Sequence, residues 1–354
     1  MTGDTSRPDG SPKVSDAREV ASAEAHFRRD GRLTAAATRA LHVGERFGVV
    51  LLLGLVILFF SLDLPGIFPT TATFDNIING QPAQLFVAFA ALVTLIVGEF
   101  DLSIGYGVGL TSVLFAWLVG NQGFGFGAAL ATVLAAGLCA GAVNGFLVVH
   151  MRINSFIATL GTGTIMSGVV ILLTQGQILS TNFPKALFTI TQSTWFGVTS
   201  PMYYLAAVGV LLYCILQHTP VGRRMYAVGG NAEAARLTGI ATRRIKFGSF
   251  VFGSLLWTVA GVINVGRIGA AYPDIGPEFL LPAFAAAFLG ATTIRPGHFN
   301  VAGTVVASFL VVVGVTGFEE AGVATWVEPV FNGAVLLIAV GLSVKLADLR
   351  HRLR

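Results

Sequence analysis

Apolar residues in this chain run in unbroken stretches. They show neither the period-two alternation of half-buried strands nor the narrow stripe of a surface helix. Ten such stretches fall near 47–62, 82–98, 104–119, 126–149, 156–174, 201–217, 247–266, 279–293, 300–318 and 326–344. Most reach or approach the ~17–25 residues that carry a helix through the hydrocarbon core of a bilayer. The pattern predicts an all-α integral membrane protein with about ten transmembrane helices. Continuous runs of this kind argue against a β-barrel, whose strands alternate.

The polar segments between the stretches orient them. With the N-terminus inside and strict alternation, 20 of the 22 Lys and Arg fall on one side, and only Lys185 and Arg267 fall outside or at an outer end. Such a bias is the signature of cytoplasmic loops. It puts both termini in the cytoplasm and makes the spans even in number. Residues 1–45 then form a cytoplasmic tail, largely disordered, and too long and acidic for a signal-peptide n-region. Residues 46–345 form the membrane domain, with a long cytoplasmic loop at 218–246, and 346–354 a basic cytoplasmic end. The outer segment 175–200 is uncharged apart from Lys185 and reads as a folded loop or gate. Asp274, Glu278, Glu319, Glu320 and Glu328 give an acidic outer rim, either a docking surface or ordinary solvated charge.

Composition agrees. The chain is 54% hydrophobic and 11% charged, against ~25% charged in a soluble domain. Its 43 glycines suit close helix packing in lipid. The sequence pI of about 9.3 needs no nucleic acid, because topology accounts for the basic residues. Cys139 and Cys214 lie inside apolar stretches and read as buried, inert thiols.

Catalytic motifs are missing. No G-x-x-x-x-G-K-[ST] loop cradles ATP phosphates and no HExxH appears. The six histidines lie in tails or near inner span ends. No metal, cofactor or catalytic set is predicted for this chain. Ionisable groups inside the spans are scarce, so a proton relay or ion-coupled pump has only Glu99 and Asp101 to draw on. Asp101 has two readings: it caps the helix that follows "DLSIG", or it borders a pathway at a helix break. Asn154 opens the stretch near 156–174, and Thr159 and Thr162 run into it, as packing residues or as lining of a pathway for a polar uncharged solute. Asn144 lies inside a span and needs a partner there.

The segment 220–246, "PVGRRMYAVGGNAEAARLTGIATRRIK", holds six of the basic residues. Gly229 and Gly230 predict a turn. Asn231 predicts an N-cap, Glu233 favours the positive end of a helix, and Gly239 ends it. The helix between them, Ala232 to Thr238, is too short to persist alone in water. It is expected to be held by docking, with Ala232, Ala234 and Ala235 as a small surface and Glu233 and Arg236 setting orientation. A plain loop meeting lipid headgroups through its arginines is the alternative.

Several motifs resemble one family. "GRRMYAVGGNAEAARLTGI" at 222–240 resembles the cytoplasmic coupling loop of permease subunits of bacterial ATP-binding-cassette (ABC) sugar importers, in the ribose/xylose/galactose branch. "DLSIG" at 101–105, "NGFLVVHMRI" at 144–153, "INSFIATLGT" at 153–162, "AAAFLGATT" at 285–293 and "VAGTVVASFL" at 301–310 resemble further segments of it, in family order. The resemblance implies a multi-pass inner-membrane permease working as a dimer. A separate cytoplasmic ATPase would use the ATP, and a periplasmic sugar-binding protein would dock outside. Gly222, Arg223, Gly229, Gly230, Asn231, Glu233, Ala234, Ala235, Arg236 and Gly239 would then belong to the ATPase-coupling loop, and Asp101 and Ser103 would stand near the pathway. The chain departs from the family at Glu99, where a small residue is usual, and at "GATTIRPGHFN", 290–300, which has fewer glycines and an added Pro296.

Overall fold

The computed structural model describes residues 46–180 and 183–352. Each of the ten apolar stretches there is helical. The helices are α1 (Arg46–Asp63), α2 (Thr71–Gly80), α3 (Pro82–Ile96), α4 (Ser103–Gly120), α5 (Phe126–Val149), α6 (Ser155–Thr174), α7 (Lys185–Gln192), α8 (Ser200–His218), α9 (Pro220–Gly230), α10 (Ala232–Leu237), α11 (Thr242–Ile268), α12 (Ile275–Glu278), α13 (Leu280–Gly290), α14 (Val301–Glu320) and α15 (Val327–Arg352). A two-residue hairpin pairs β1 (Thr194–Trp195) with β2 (Val198–Thr199).

Seven of these helices are long and apolar enough to cross a membrane, or eight if α2 and α3 count as one bent span. The bend of 40° falls at Gln81, because Pro82 opens α3 without an N–H to continue the α2 ladder. Two of the predicted stretches are shorter apolar segments, Ile275–Gly290 and Val327–Gly341. Helix α15 continues to Arg352, past its predicted end near 344. The tail predicted over 1–45 lies outside the described residues.

Helix α3 is the centre. All its residues except Gln84 are buried, and α8, α11, α13 and α14 pack around it. The contacts with α11 depend on small residues. Gly137 and Gly141 of α5 lie against Thr258 and Ser254 of α11, too close for a methyl group. In lipid, association rests on such close van der Waals packing, because the tails are as apolar as the side chains. The outer faces are apolar for the same reason: Leu55, Phe59, Ile165, Leu172 and Val210 are exposed. Cys139 and Cys214 are exposed too, contrary to expectation. In a membrane protein an apolar stretch does not imply an interior position.

Local contacts define two ends. At one end the α3–α4 turn meets the α5–α6 turn, where the Phe100 N–H donates to Ser155 Oγ at 3.2 Å. There the Tyr226 hydroxyl of α9 also donates to the Phe299 carbonyl at 2.7 Å. The segment 218–246, with Arg152 and Arg295, makes this the basic end. At the other end Thr73 Oγ1 donates to Glu320 Oε1 at 2.6 Å and the Thr199 N–H to Asn79 Oδ1 at 2.8 Å. Segment 175–200 is folded there by α7, by the hairpin and by a bridge between Leu179 and Ala271. This is the acidic end.

Candidate functional site

The segment 218–246 is mostly helix, not loop. Thr219 Oγ1 accepts from the Gly222 N–H at 3.4 Å, and Pro220 follows at the first helical position, so an eleven-residue helix, α9, begins here. It buries Gly222, Met225 and Val228, one turn apart, and leaves Arg223 exposed. The turn expected at Gly229 and Gly230 is absent: both complete the last turn of α9. Gly229 is required for another reason. A Cβ there would lie 2.0 Å from the Ile96 carbonyl oxygen of α3, whereas at Gly230 it would meet nothing within 4 Å. The α9 backbone is thus pressed directly on the end of the central helix.

Helix α10 follows at once. Asn231 Oδ1 accepts from the Ala234 N–H at 2.9 Å. At the far end Gly239 takes φ +84°, and the Ile240 and Gly239 N–H groups return to the Ala235 and Arg236 carbonyls at 3.1 and 3.0 Å. This is a Schellman closure, and it needs the left-handed glycine. The helix has six residues, one fewer than predicted. Ala235 faces inward and is buried, so it is not part of an exposed small surface as expected. The solvent face is Glu233, Ala234, Arg236 and Leu237, which is 76% exposed. Glu233 pairs with Arg236, whose Nε donates to Oε2 at 3.1 Å. The guanidinium holds the Glu233 carboxyl below its ordinary pKa.

At the start of α11, Lys246 Nζ lies 2.5 Å from Glu99 Oε1, and both residues are half-buried. The unusual Glu99 therefore ties the segment to the α3–α4 turn. The altered stretch 290–300 is organised by Asn300. The two N–H groups of its Nδ2 are shared among the Gly290, Thr293 and His298 carbonyls, and its Oδ1 accepts from the Gly303 N–H at 2.7 Å. A single amide holds this turn with few glycines.

Five of the six polar residues singled out in the first half come together. Asp101 Oδ1 accepts from the Ser103 N–H at 3.0 Å and the Ser103 hydroxyl at 2.5 Å. Ser103 Oγ accepts from Asn144 Nδ2 at 2.8 Å, and the Thr162 hydroxyl donates to Asn144 Oδ1 at 2.6 Å. Thr159 Oγ1 accepts from the Leu102 N–H at 2.9 Å. Asp101, Ser103, Asn144 and Thr159 are buried and Thr162 half-buried. The network ties α4, α5 and α6 at the basic end. Asn154 stands apart, exposed, capping α6 by accepting from the Phe156 N–H at 3.0 Å.

Lys246 and Leu237 were not singled out in advance as site residues. Nor were the residues of a polar cavity at the acidic end, Gln81, Gln84, Asn264, Arg267, Ser308 and Asn332 among them. Single polar residues on separate stretches give no local signal of convergence.

Residues 74–340 match the family described as branched-chain amino acid transport system / permease component. The ribose import permease protein RbsC of Escherichia coli (strain K12) is 30% identical over 302 residues, covering 84% of this chain and 92% of that protein. RbsC of Bacillus subtilis (strain 168) is 30% identical over 308 residues, 86% and 94% of the two chains. The autoinducer 2 import system permease protein LsrD of Photorhabdus laumondii is 27% identical over 328 residues, 89% and 96%. No solved structure matches the chain. The long apolar helices packed around α3, and a family match that spans all but the first of them, make this chain a multi-pass membrane protein that belongs to the transport-system permease component family.

Proposed function

We propose that this chain is the membrane-spanning subunit of an ABC importer that carries a sugar or polyol across the inner membrane. The basic end faces the cytoplasm, by the positive-inside rule. A separate ATPase docks on α10, a second permease chain completes the pathway, and a periplasmic binding protein delivers solute at the acidic end. The relatives are named import permeases for ribose and for autoinducer 2, and the sugar class rests on those names.

The observation that carries the reading is the mounting of α10. The helix is capped at both ends, shows Glu233, Arg236 and Leu237 to solvent, and packs on α9 and α11, which are fixed to the end of the central helix and to the α3–α4 turn through Gly229 and through Glu99–Lys246. A push on α10 is therefore transmitted to the α3–α4 turn. A second reading, an autoinducer-2-type solute, is supported by the LsrD relatives. Reconstituted uptake tests the class. Uptake is expected only with the ATPase, the binding protein and ATP; uptake by the lone chain under an ion gradient would show a secondary transporter instead.

A further inference from the structure

A second polar constellation lies at the acidic end, at the opposite end of α3 from α10. It is a cavity of about 210 Å³ among α3, α11, α12, α13, α14 and α15. Its deep wall carries Gln81, Asn264, Ser308 and Asn332, each more than nine-tenths buried. Burying four polar side chains among apolar helices is costly unless their donors and acceptors are used. Here they are incompletely used. Ser308 Oγ reaches Gln81 Oε1 at 3.4 Å, and nearby Gln84 Nε2 donates to the Phe279 carbonyl at 3.3 Å. Asn332 Oδ1 is buried with no partner, and the Asn264 side chain makes no hydrogen bond among the described residues.

The chemistry of that wall selects a ligand class. Amides and a hydroxyl each offer both donor and acceptor. They match ligand hydroxyls, which also donate and accept. An ammonium or a carboxylate would use one half and leave the other unmatched, and no fixed charge stands on the deep wall to balance it. The charged side chains Arg267, Glu278 and Glu328 are exposed at the mouth, with both signs present. The volume lies below the roughly 300 Å³ where sites for drug-sized ligands begin. The same helix that opens the cavity with Gln84 ends at Ile96, against Gly229 of the coupling segment.

We propose that this cavity is a way-station for a neutral polyhydroxylated molecule of monosaccharide size during its passage through the importer. The assignment rests on the importer reading and adds to it a place in the fold and the side chains that would hold the solute. In a chain carrying Cys139→Ser and Cys214→Ser, Asn332→Cys is introduced singly, and Ser308→Cys in parallel should Asn332→Cys fail to insert. Each is labelled with a membrane-impermeant charged thiosulfonate from the acidic side. We expect labelling, slowed at least threefold by D-ribose, D-xylose or erythritol and unaffected by L-leucine. Failure of the inserted protein to label, no protection by any of the three, or protection by leucine alone would overturn the assignment. A second arm measures uptake of the protecting sugar by the complete importer carrying Asn264→Leu. The initial rate is expected to fall at least tenfold with ATPase association unchanged. Wild-type rates in that variant would remove the cavity from the route while leaving the importer intact. Absence of uptake in the wild-type complex would sink the importer reading while the protection result still stands on its own.

Discussion

At the scale of single residues, two neighbouring glycines have opposite roles although the sequence offers no way to tell them apart. Gly229→Ala drives a Cβ to within 2.0 Å of the Ile96 carbonyl oxygen. Backbone lies on both sides, so neither can rotate away, and overpacking of this kind costs ~1–3 kcal/mol. Gly230→Ala meets nothing and gains helix propensity. The expected result is a lowered unfolding midpoint in detergent for the first and an unchanged or higher one for the second. Equal effects would refute the close contact. Asn144 makes a similar test inside the membrane. Its amide joins Ser103 to Thr162, so Asn144→Ala leaves two hydroxyls without their buried partner. The loss is expected at ~1–3 kcal/mol in the same assay. Asp101→Asn keeps an oxygen for the Ser103 N–H and hydroxyl, so stability should change little. If transport falls sharply while stability holds, Asp101 serves the pathway as well as the helix start.

At the scale of elements, the apolar spans were legible because composition alone sets them: an unbroken apolar stretch has few alternatives to a helix in lipid. The polar elements were not. Helix α9 carries glycines and arginines with little net hydrophobicity, and its double glycine imitates a turn. The reason for Gly229 is a carbonyl more than a hundred positions away in sequence, which no local signal reports. The α10 caps, by contrast, were readable in full, because Asn231 and Gly239 act on backbone within five residues of themselves. The Glu99–Lys246 pair was hidden in the same way as the Gly229 contact. It predicts a coupling defect and not a folding defect, since the pair holds only the α11 end of the segment and α9 is held separately by Gly229 and by Tyr226. Glu99→Gln and Lys246→Met should each raise the ATP hydrolysed per solute imported by severalfold. The double variant should be no worse than either single one, since all three lose the same link. Additive losses would mean that the two residues act separately.

At the scale of the whole molecule, the contacts test the topology by a route independent of charge. The α3–α4, α5–α6 and α13–α14 turns meet one another or the 218–246 segment at the basic end. The start of α3, the end of α11 and the start of α15 share the cavity at the acidic end. If the α2–α3 pair crosses as one bent span and the shorter segments Ile275–Gly290 and Val327–Gly341 each cross once, successive spans alternate and the number is even. Bent or re-entrant pairs of this kind are tolerated at membrane depth where protein surrounds them. With those crossings granted, the helix order puts both ends of the chain on the side that charge counting assigns to the cytoplasm. A fluorescent protein fused after Arg354 should fluoresce, and alkaline phosphatase at the same site should be inactive. Alkaline phosphatase inserted in the β1–β2 hairpin, between Trp195 and Val198, should be active. Active phosphatase at the C-terminus would make the number of crossings odd if the N-terminus stays inside. One of the bent or shorter segments would then fail to cross, and α10 could still face the cytoplasm only if that segment were Ile275–Gly290 or Val327–Gly341, both of which follow it in the chain.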